Sequence, residues 1–179
     1  MPDIRASGTY ARAIEAVHDL LSRLRLDFLF VGDVARSAWL GSEAGKGSVD
    51  VLATMGPQQK SQVAMMASNR AFRVDRDEVE ASEELDLIPL HFTPDAGTDI
   101  RVHVLVASNA LYGRMVAAGI PAQLGELAIR IPLGEDYALL LAMMGDQVAL
   151  HALTGMPEFD RDSFNVKLRS IGLGGHVLA

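Results

Sequence analysis

Apolar residues recur along this sequence with the periods of helices and strands. Within residues 10–24 they are spaced three, one and three apart, as on one face of a helix: Tyr10, Ala13, Ile14, Val17, Leu20, Leu21 and Leu24. Ser7 or Thr9 is the predicted N-cap of this helix. Phe28–Val31 is a continuous apolar run that ends at Gly32, which is typical of a strand buried on both faces. Val34–Trp39 then has the length of a short helix.

The next segment, Ser48–Thr54, alternates, so Asp50 and Leu52 point to one side of a predicted strand and the residues between them to the other. The rest of the pattern predicts further strands at Phe72–Val74, Leu85–Phe92, Asp99–Val106 and Leu127–Ile131. It also predicts helices at Pro57–Arg70, Ser108–Gly119 with Ser108 as the cap, Gly134–Leu153 and Asp160–Ile171.

A loop rich in turn-forming residues, 93–98, separates Leu85–Phe92 from Asp99–Val106, so these two strands are predicted to form a β-hairpin. Pro89 has no N–H group and therefore suits an edge strand or a bulge. Asp75–Asp86 contains seven acidic residues and one arginine. Such a run favours a solvated acidic loop over a carboxylate cluster for metals, because like charges repel one another.

Composition and charge restrict the possible functions. Of the 179 residues 49% are hydrophobic, which indicates a globular chain. The formal net charge of -7 disfavours a broad nucleic-acid footprint, because phosphates must be neutralised by clustered lysines and arginines. The absence of cysteine excludes disulfides and thiolate zinc sites. No apolar stretch is long enough to span a membrane, and the first residues contain no hydrophobic signal region, so we expect a cytoplasmic protein.

Two segments carry the most specific motif: Phe28–Ala35, a strand followed by a glycine turn, and Lys46–Ala53, a strand with one acidic residue. Their layout resembles the nucleotidyltransferase superfamily, and most closely the bacterial abortive-infection and toxin–antitoxin nucleotidyltransferases. In that superfamily two aspartates on the second strand and a third on a later strand hold magnesium and a nucleoside triphosphate. The matching residues here are Gly32, Lys46, Ser48 and Asp50.

The resemblance extends over nearly the whole chain and implies an α+β, two-layer fold. Its mixed sheet has about five strands with helices mainly on one face, followed by C-terminal helices. Residues 1–179 are predicted to be a single domain, with 134–179 as a helical part packed on it. The strands that carry Asp50 and His103 are expected to be neighbours, with the two side chains within about 10 Å of each other. Asp50, Leu52 and His103 should share one face of the sheet, and the valines between them the other.

Four positions depart from the family motif. Asp33 stands in place of the second glycine, Leu52 in place of the second aspartate, His103 in place of the third, and Leu141 in place of a lysine on the late helix. Magnesium prefers oxygen ligands, and two-metal stabilisation of the transition state requires them. These departures therefore predict that metal-dependent catalysis has been lost.

The resemblance implies the candidate site residues. Asp50 is the candidate catalytic residue, Gly32, Lys46 and Ser48 are the candidate nucleotide-binding residues, and Asp50 with His103 are the candidate metal ligands. No cofactor is expected, or magnesium if the protein is active. A zinc site formed by His91, His103 and Asp50 is a further alternative.

The leading functional hypothesis is a catalytically degraded nucleotidyltransferase-fold protein that acts as a binding or partner-regulating module. The main alternative is an active metal-dependent nucleotidyltransferase in which Asp50 is helped by an acid from the Asp75–Asp86 segment. A third is a structural or toxin-neutralising subunit that uses the apolar segment 137–144 as an interface. The expected partners are accordingly a nucleoside triphosphate, a protein or a second copy of the chain, and not a membrane.

Overall fold

The computed structural model of the protein describes residues 1–82 and 85–173. The strands, in chain order, are β1 (Arg5–Ala6), β2 (Asp27–Phe30), β3 (Glu43–Ala44), β4 (Val49–Thr54), β5 (Phe72–Arg73), β6 (Leu87–Phe92), β7 (Ile100–Val106), β8 (Ile120–Leu124) and β9 (Leu127–Ile131). The helices are α1 (Gly8–Arg23), α2 (Gly32–Leu40), α3 (Pro57–Ser68), α4 (Arg76–Ala81), α5 (Ala110–Ala118), α6 (Gly134–Met144), α7 (Gln147–Thr154) and α8 (Arg161–Ser170). None of the helices within these residues is long and apolar enough to cross a membrane.

The central sheet has five strands in the order β2–β4–β7–β6–β5. Strands β4 and β7 are parallel, and the other neighbours are antiparallel. The expected adjacency of the strands that contain residues 28–31, 48–54 and 99–106 is therefore confirmed, as is the predicted hairpin of β6 and β7. In the β4–β7 pair Asp50 lies directly opposite His103.

Both faces of the sheet are packed against helices. The valines of β4 and β7 face α1 and α3 in one hydrophobic core: Val49, Val51, Val102 and Val104. On the opposite face, Leu29 of β2 and Leu52 of β4 pack against the helices from α5 onward in a second core. The predicted alternation is confirmed, and so is the predicted α+β fold with a mixed sheet and C-terminal helices. The prediction that the helices lie mainly on one face is wrong, because α1 and α3 cover one face and the helices from α5 onward cover the other.

The predicted helix over 134–153 is wrong as a single element, because the structure divides it into α6 and α7. Gly145 ends α6 in the left-handed conformation, with φ +75°. The carboxylate of Asp146 then accepts a hydrogen bond from the backbone N–H of Ala149 and starts α7. Both signals are local and present in the sequence, but the apolar residues continue across the break and hide it.

Two further predictions require correction. The acidic segment is not all loop, since the Asp75 carboxylate accepts a hydrogen bond from the Asp77 N–H and caps the short helix α4. The cap of α5 is Asn109 and not Ser108, because the Asn109 side-chain oxygen accepts from the Tyr112 N–H at 3.0 Å.

Pro89 lies in β6, which is not the edge strand predicted for it, but its part of β6 has no strand on the β5 side. Strand β6 is flanked by β5 only opposite Phe92 and His91, so it has no neighbour on that side at Pro89. The missing N–H group of Pro89 therefore leaves no gap in the β5–β6 ladder.

The sequence patterns did not predict β1, β3 or β8. The first two are two-residue strands that pair with each other, and β8 forms a hairpin with β9.

Candidate functional site

The turn between β2 and α2 brings Gly32 against Asp50. The N–H of Val31 donates to the backbone oxygen of Asp50 at 2.9 Å, which extends the pairing of β2 with β4 to the end of the strand. Gly32 follows with φ +56°, and a Cβ atom there would lie only 2.4 Å from Asp50 Oδ2. This position therefore requires glycine both for its backbone angle and for its close approach to the carboxylate.

The carboxylate of Asp50 is held by two side chains. Ser48 Oγ donates to Oδ1 at 2.7 Å, and His103 Nδ1 lies 2.9 Å from the same oxygen. A carboxylate oxygen accepts hydrogen bonds, so Nδ1 is the donor in this pair. Asp50 and His103 thus face each other across adjacent strands as predicted.

The two leucines that the motif resemblance sets in place of the second carboxylate and the lysine are buried. Leu52 is 3% exposed, and both Leu52 and Leu141 pack in the second core. The donor set at this point is one carboxylate and one imidazole, which does not fit the oxygen-rich, two-carboxylate site that two magnesium ions require. Among residues 1–82 and 85–173, no group of three or more His, Asp or Glu side chains is arranged to hold a metal ion.

The zinc alternative does not assemble either, because its two histidines have different partners. His103 contacts Asp50, whereas His91 lies 2.8 Å from Glu78 through Nε2 and 2.8 Å from Asp99 through Nδ1. His91 therefore connects α4 and the start of β7, and it is not part of the Asp50 site.

The predicted nucleotide-binding residues are only partly brought together. Gly32 and Ser48 lie at Asp50, but Lys46 is exposed and lines a separate cavity of about 270 Å³ with Gly47 and Arg101. The glycines on either side of Lys46 allow many loop paths, so the sequence spacing alone did not fix the direction of this side chain.

A larger cavity of about 510 Å³ opens beside Gly32 and Asp50, and we call it the Asp50 cavity. It lies on the face of the sheet that the C-terminal helices cover, and most of its lining is apolar. Its lining residues are Val31, Gly32, Asp50, Leu52, Leu85, Asp86, Leu105, Val106, Ser108, Tyr112, Tyr137, Leu140, Met143 and Met144. Gly32 and Asp50 are predicted as site residues from the sequence. The aromatic and methionine side chains are not, because their participation depends on how α5 and α6 pack.

Tyr137 connects this cavity to the turn at Gly32. Its hydroxyl donates to the Gly32 backbone oxygen at 3.3 Å, and burial raises the pKa of Tyr137 to about 12, so the phenol stays neutral. Arg36 of α2 interacts with Tyr137 and forms an ion pair with Asp146 at the start of α7. The wall of the cavity is therefore fixed to both α2 and α7.

A second tyrosine fixes the opposite side of the site. The Tyr10 hydroxyl donates to the Ser48 backbone oxygen at 2.6 Å. Burial raises the pKa of Tyr10, and the charges of Asp33 and Asp50 raise it further. The backbone of the strand that presents Asp50 is thus anchored to α1.

Three acids of the 75–86 segment have partners of their own, and two others, Glu83 and Glu84, lie outside the described residues. Asp75 caps α4, Glu78 contacts His91, and Asp86 pairs with Lys60 at 2.8 Å. Asp86 also lines the Asp50 cavity, but its backbone oxygen accepts from the N–H of Val106. Because Val106 lies three residues beyond His103, this pairing sets the Asp86 backbone roughly 10 Å along the strand from His103.

The segment 137–144, which the third hypothesis treats as an interface, is largely used inside the chain. Tyr137, Leu139 and Leu141 are buried in the second core, and Met143 and Met144 are the exposed large apolar residues of this helix.

His91 predicts a dependence of stability on pH. Burial lowers the pKa of His91, but hydrogen bonds to Glu78 and Asp99 raise it by more, so the net pKa lies above 6.5. The nearby Arg73, which also pairs with Asp99, opposes this rise. A raised folded-state pKa gives stabilisation that is complete below the unfolded value of 6.5 and is lost as pH rises through the folded value.

We therefore expect His91→Gln to cost about 1 kcal/mol of unfolding free energy at acidic pH, and less as the pH rises. Urea unfolding of the wild type and the variant between pH 5.5 and 8.5 measures this difference. The comparison cancels contributions common to both chains, including that of His18, whose pKa burial lowers. A difference that grows with pH contradicts the assignment.

Comparison with known proteins identifies the fold. No protein-family model and no curated protein matches the sequence. Among solved structures, the chain is similar to ANT(2")-Ia in complex with adenylyl-2"-tobramycin, with 11% identity over 92% of this chain and 99% of the other, at a TM-score of 0.51. It is also similar to an antigenic nucleotidyltransferase-like protein from Paracoccidioides brasiliensis, with 12% identity over 96% of this chain and 89% of the other, at a TM-score of 0.53.

At these identities the two likenesses show the fold alone. They confirm the nucleotidyltransferase fold that the sequence motif predicts.

Proposed function

We propose that this nucleotidyltransferase-fold chain does not carry out metal-dependent nucleotidyl transfer and instead acts as a binding module whose ligand occupies the Asp50 cavity. One observation carries the proposal: the place of the second metal-bridging carboxylate is taken by Leu52, which is 3% exposed. A leucine in a packed core offers no oxygen to a cation, and no change of rotamer alters that.

Other features of the site support the loss of metal chemistry. One oxygen of Asp50 already accepts hydrogen bonds from Ser48 and His103, so a cation bound there would have to compete with both donors. Three acids of the 75–86 segment, Asp75, Glu78 and Asp86, have their own partners, and no described group of three or more His, Asp or Glu side chains is arranged to hold a metal ion. Two-metal stabilisation contributes several kcal/mol to transfer, and no described residue supplies a substitute.

The cavity supports a binding role. A volume of about 510 Å³ lies within the range of roughly 300–1,000 Å³ that is usual for small-molecule sites. Its mainly apolar wall with a few polar groups, Asp50 among them, is also typical of such sites. The hydrogen bonds from Tyr10 to Ser48 and from Tyr137 to Gly32 hold two parts of this site in place, which reduces the entropy lost on binding.

A transfer assay tests the proposal. The purified protein is incubated with Mg²⁺ and each radiolabelled ribonucleoside triphosphate, in the presence of protein, RNA or small hydroxyl acceptors, beside an active nucleotidyltransferase as a positive control. We expect no label on any acceptor. Transfer that is lost in Asp50→Ala but retained in Asp33→Ala, the matched change at the neighbouring carboxylate, contradicts the proposal.

A further inference from the structure

We infer that the Asp50 cavity binds a small amphipathic amine, with the ammonium group on Asp50 and an apolar body against the leucine and methionine side chains. The inference rests on the proposed function, since it assumes that the cavity binds a ligand, and it adds the chemical class of that ligand.

The charge of the cavity wall favours a cationic ligand. The residues that line the cavity include two carboxylates, Asp50 and Asp86, but no lysine, arginine or histidine within the part of the chain that the structure describes. Lys60 neutralises Asp86 at 2.8 Å. Asp50 has no lysine or arginine partner among the described residues, and its basic neighbour is the imidazole of His103. A triphosphate or a carboxylate would enter this wall without a cation to pair with, whereas a cation is attracted to it.

One oxygen of the Asp50 carboxylate accepts no hydrogen bond from the described residues. Both described hydrogen bonds to this carboxylate end on Oδ1, while Oδ2 has no hydrogen-bond donor among the described residues and lies on the side where Gly32 has no Cβ. The side chain is 24% exposed, so an ion pair formed there is partly shielded from water. Such a pair is stronger than one on an open surface, where water screens the charges.

The apolar part of the cavity wall favours a ligand with an apolar body. Leu52, Leu105, Leu140, Met143 and Met144 line one continuous cavity with Asp50. Met144 is 65% exposed and Leu85 is 69% exposed, so the apolar lining reaches the protein surface. Methionine side chains are flexible and polarisable, which suits them to apolar ligands of different shapes. A purely polar polyamine would leave this surface unused.

Three probes of equal chain length separate charge from apolar contact: n-octylamine, 1-octanol and octanoate, each titrated into the protein at pH 7 by isothermal calorimetry. We expect octylamine to bind about tenfold more tightly than octanol, with octanoate the weakest. Octanoate binding as tightly as octylamine, or no binding of any probe, overturns the inference.

Variants locate the binding site. Asp50→Asn, which preserves size, is expected to reduce octylamine affinity about tenfold and to leave octanol affinity nearly unchanged. Asp33→Asn is the matched control, because it removes a neighbouring carboxylate that does not line the cavity. Leu140→Gln should weaken octylamine and octanol alike, since it changes the apolar wall. Equal losses of octylamine affinity in Asp33→Asn and Asp50→Asn would indicate attraction by the acidic surface in general and overturn the inference.

The outcome of these binding measurements can be told apart from the outcome of the transfer assay. Nucleotidyl transfer would refute the proposed function whatever the relative affinities of the three probes. A different order of affinities would refute only the proposed ligand class. If Asp50→Asn does not fold, the order of the three probes on the wild type and its loss at high salt still test the inference.

Discussion

Replacing Gly32 with alanine is expected to lower the free energy of unfolding by about 3 kcal/mol. The left-handed backbone angle alone costs a side chain about 1–2 kcal/mol. The added Cβ would also stand 2.4 Å from Asp50 Oδ2, so the carboxylate must move and weaken its hydrogen bonds to Ser48 and His103. Each such bond contributes about 1 kcal/mol. Urea unfolding followed by circular dichroism measures the loss.

Gly125→Ala is the matched control. Gly125 has φ +57°, nearly the angle of Gly32, but a Cβ there meets no other atom within 4 Å. This variant should therefore cost only the backbone term of about 1–2 kcal/mol. The difference between the two variants isolates the contact with Asp50, and equal losses would show that the close approach of Gly32 to the carboxylate does not affect stability.

Replacing Lys167 with methionine is expected to destabilise the protein by about 3 kcal/mol. The Lys167 ammonium of α8 forms an ion pair with Asp136 in the first turn of α6, and the Asp136 side chain is only 7% exposed. Removing the cation leaves a buried carboxylate without its partner, which costs more than the pair itself is worth. We expect a loss near the lower end of the usual range of about 3–5 kcal/mol for two reasons. The helix N-terminus still stabilises the Asp136 carboxylate, and Lys167 is 27% exposed, so its charge is partly solvated.

Two further variants test this explanation by chemical denaturation. Adding Asp136→Asn to Lys167→Met removes the unpaired charge and should restore most of the stability. Arg23→Met breaks an exposed ion pair with Asp19 and should cost no more than about 0.5 kcal/mol. A loss in Lys167→Met as small as that in Arg23→Met would mean that the Asp136 charge is adequately solvated without the lysine.

The parts of the fold that could be predicted from the sequence depend on local periodicity. Alternation along β4 and β7 correctly assigned Asp50, Leu52 and His103 to one face, because a strand repeats every two residues and a slip would expose the valines. The resemblance supplied the order of these strands, which periodicity does not contain. The two-residue strands β1 and β3 are too short to show any period, and their pairing joins residues far apart in the sequence.

The cavity was not predictable because the sequence of α6 lacks a clear periodic pattern. Helix α6 is apolar on nearly all sides, so no stripe distinguishes the buried Leu139 and Leu141 from Leu140 and Met144, which line the cavity. Lys46 was assigned to the nucleotide site because it matches a basic residue of the family motif. The glycines on both sides of Lys46 allow many loop paths, and in the structure Lys46 lines another cavity. Asp86 reaches the Asp50 cavity through its pairing with Val106. A contact of that kind appears only in three dimensions.

The parallel pairing of β4 with β7 has a consequence for the order in which the protein folds. Joining Asp50 to His103 closes a loop of 53 residues, and the chain-length part of this entropy cost is about 3.5 kcal/mol. The β6–β7 hairpin closes only the short turn between Phe92 and Ile100, for about 2 kcal/mol. The hairpin therefore forms more readily, and β4 joins a strand pair that already exists. The carboxylate and imidazole meet only when β4 pairs with β7, so we expect the site to form after the hairpin.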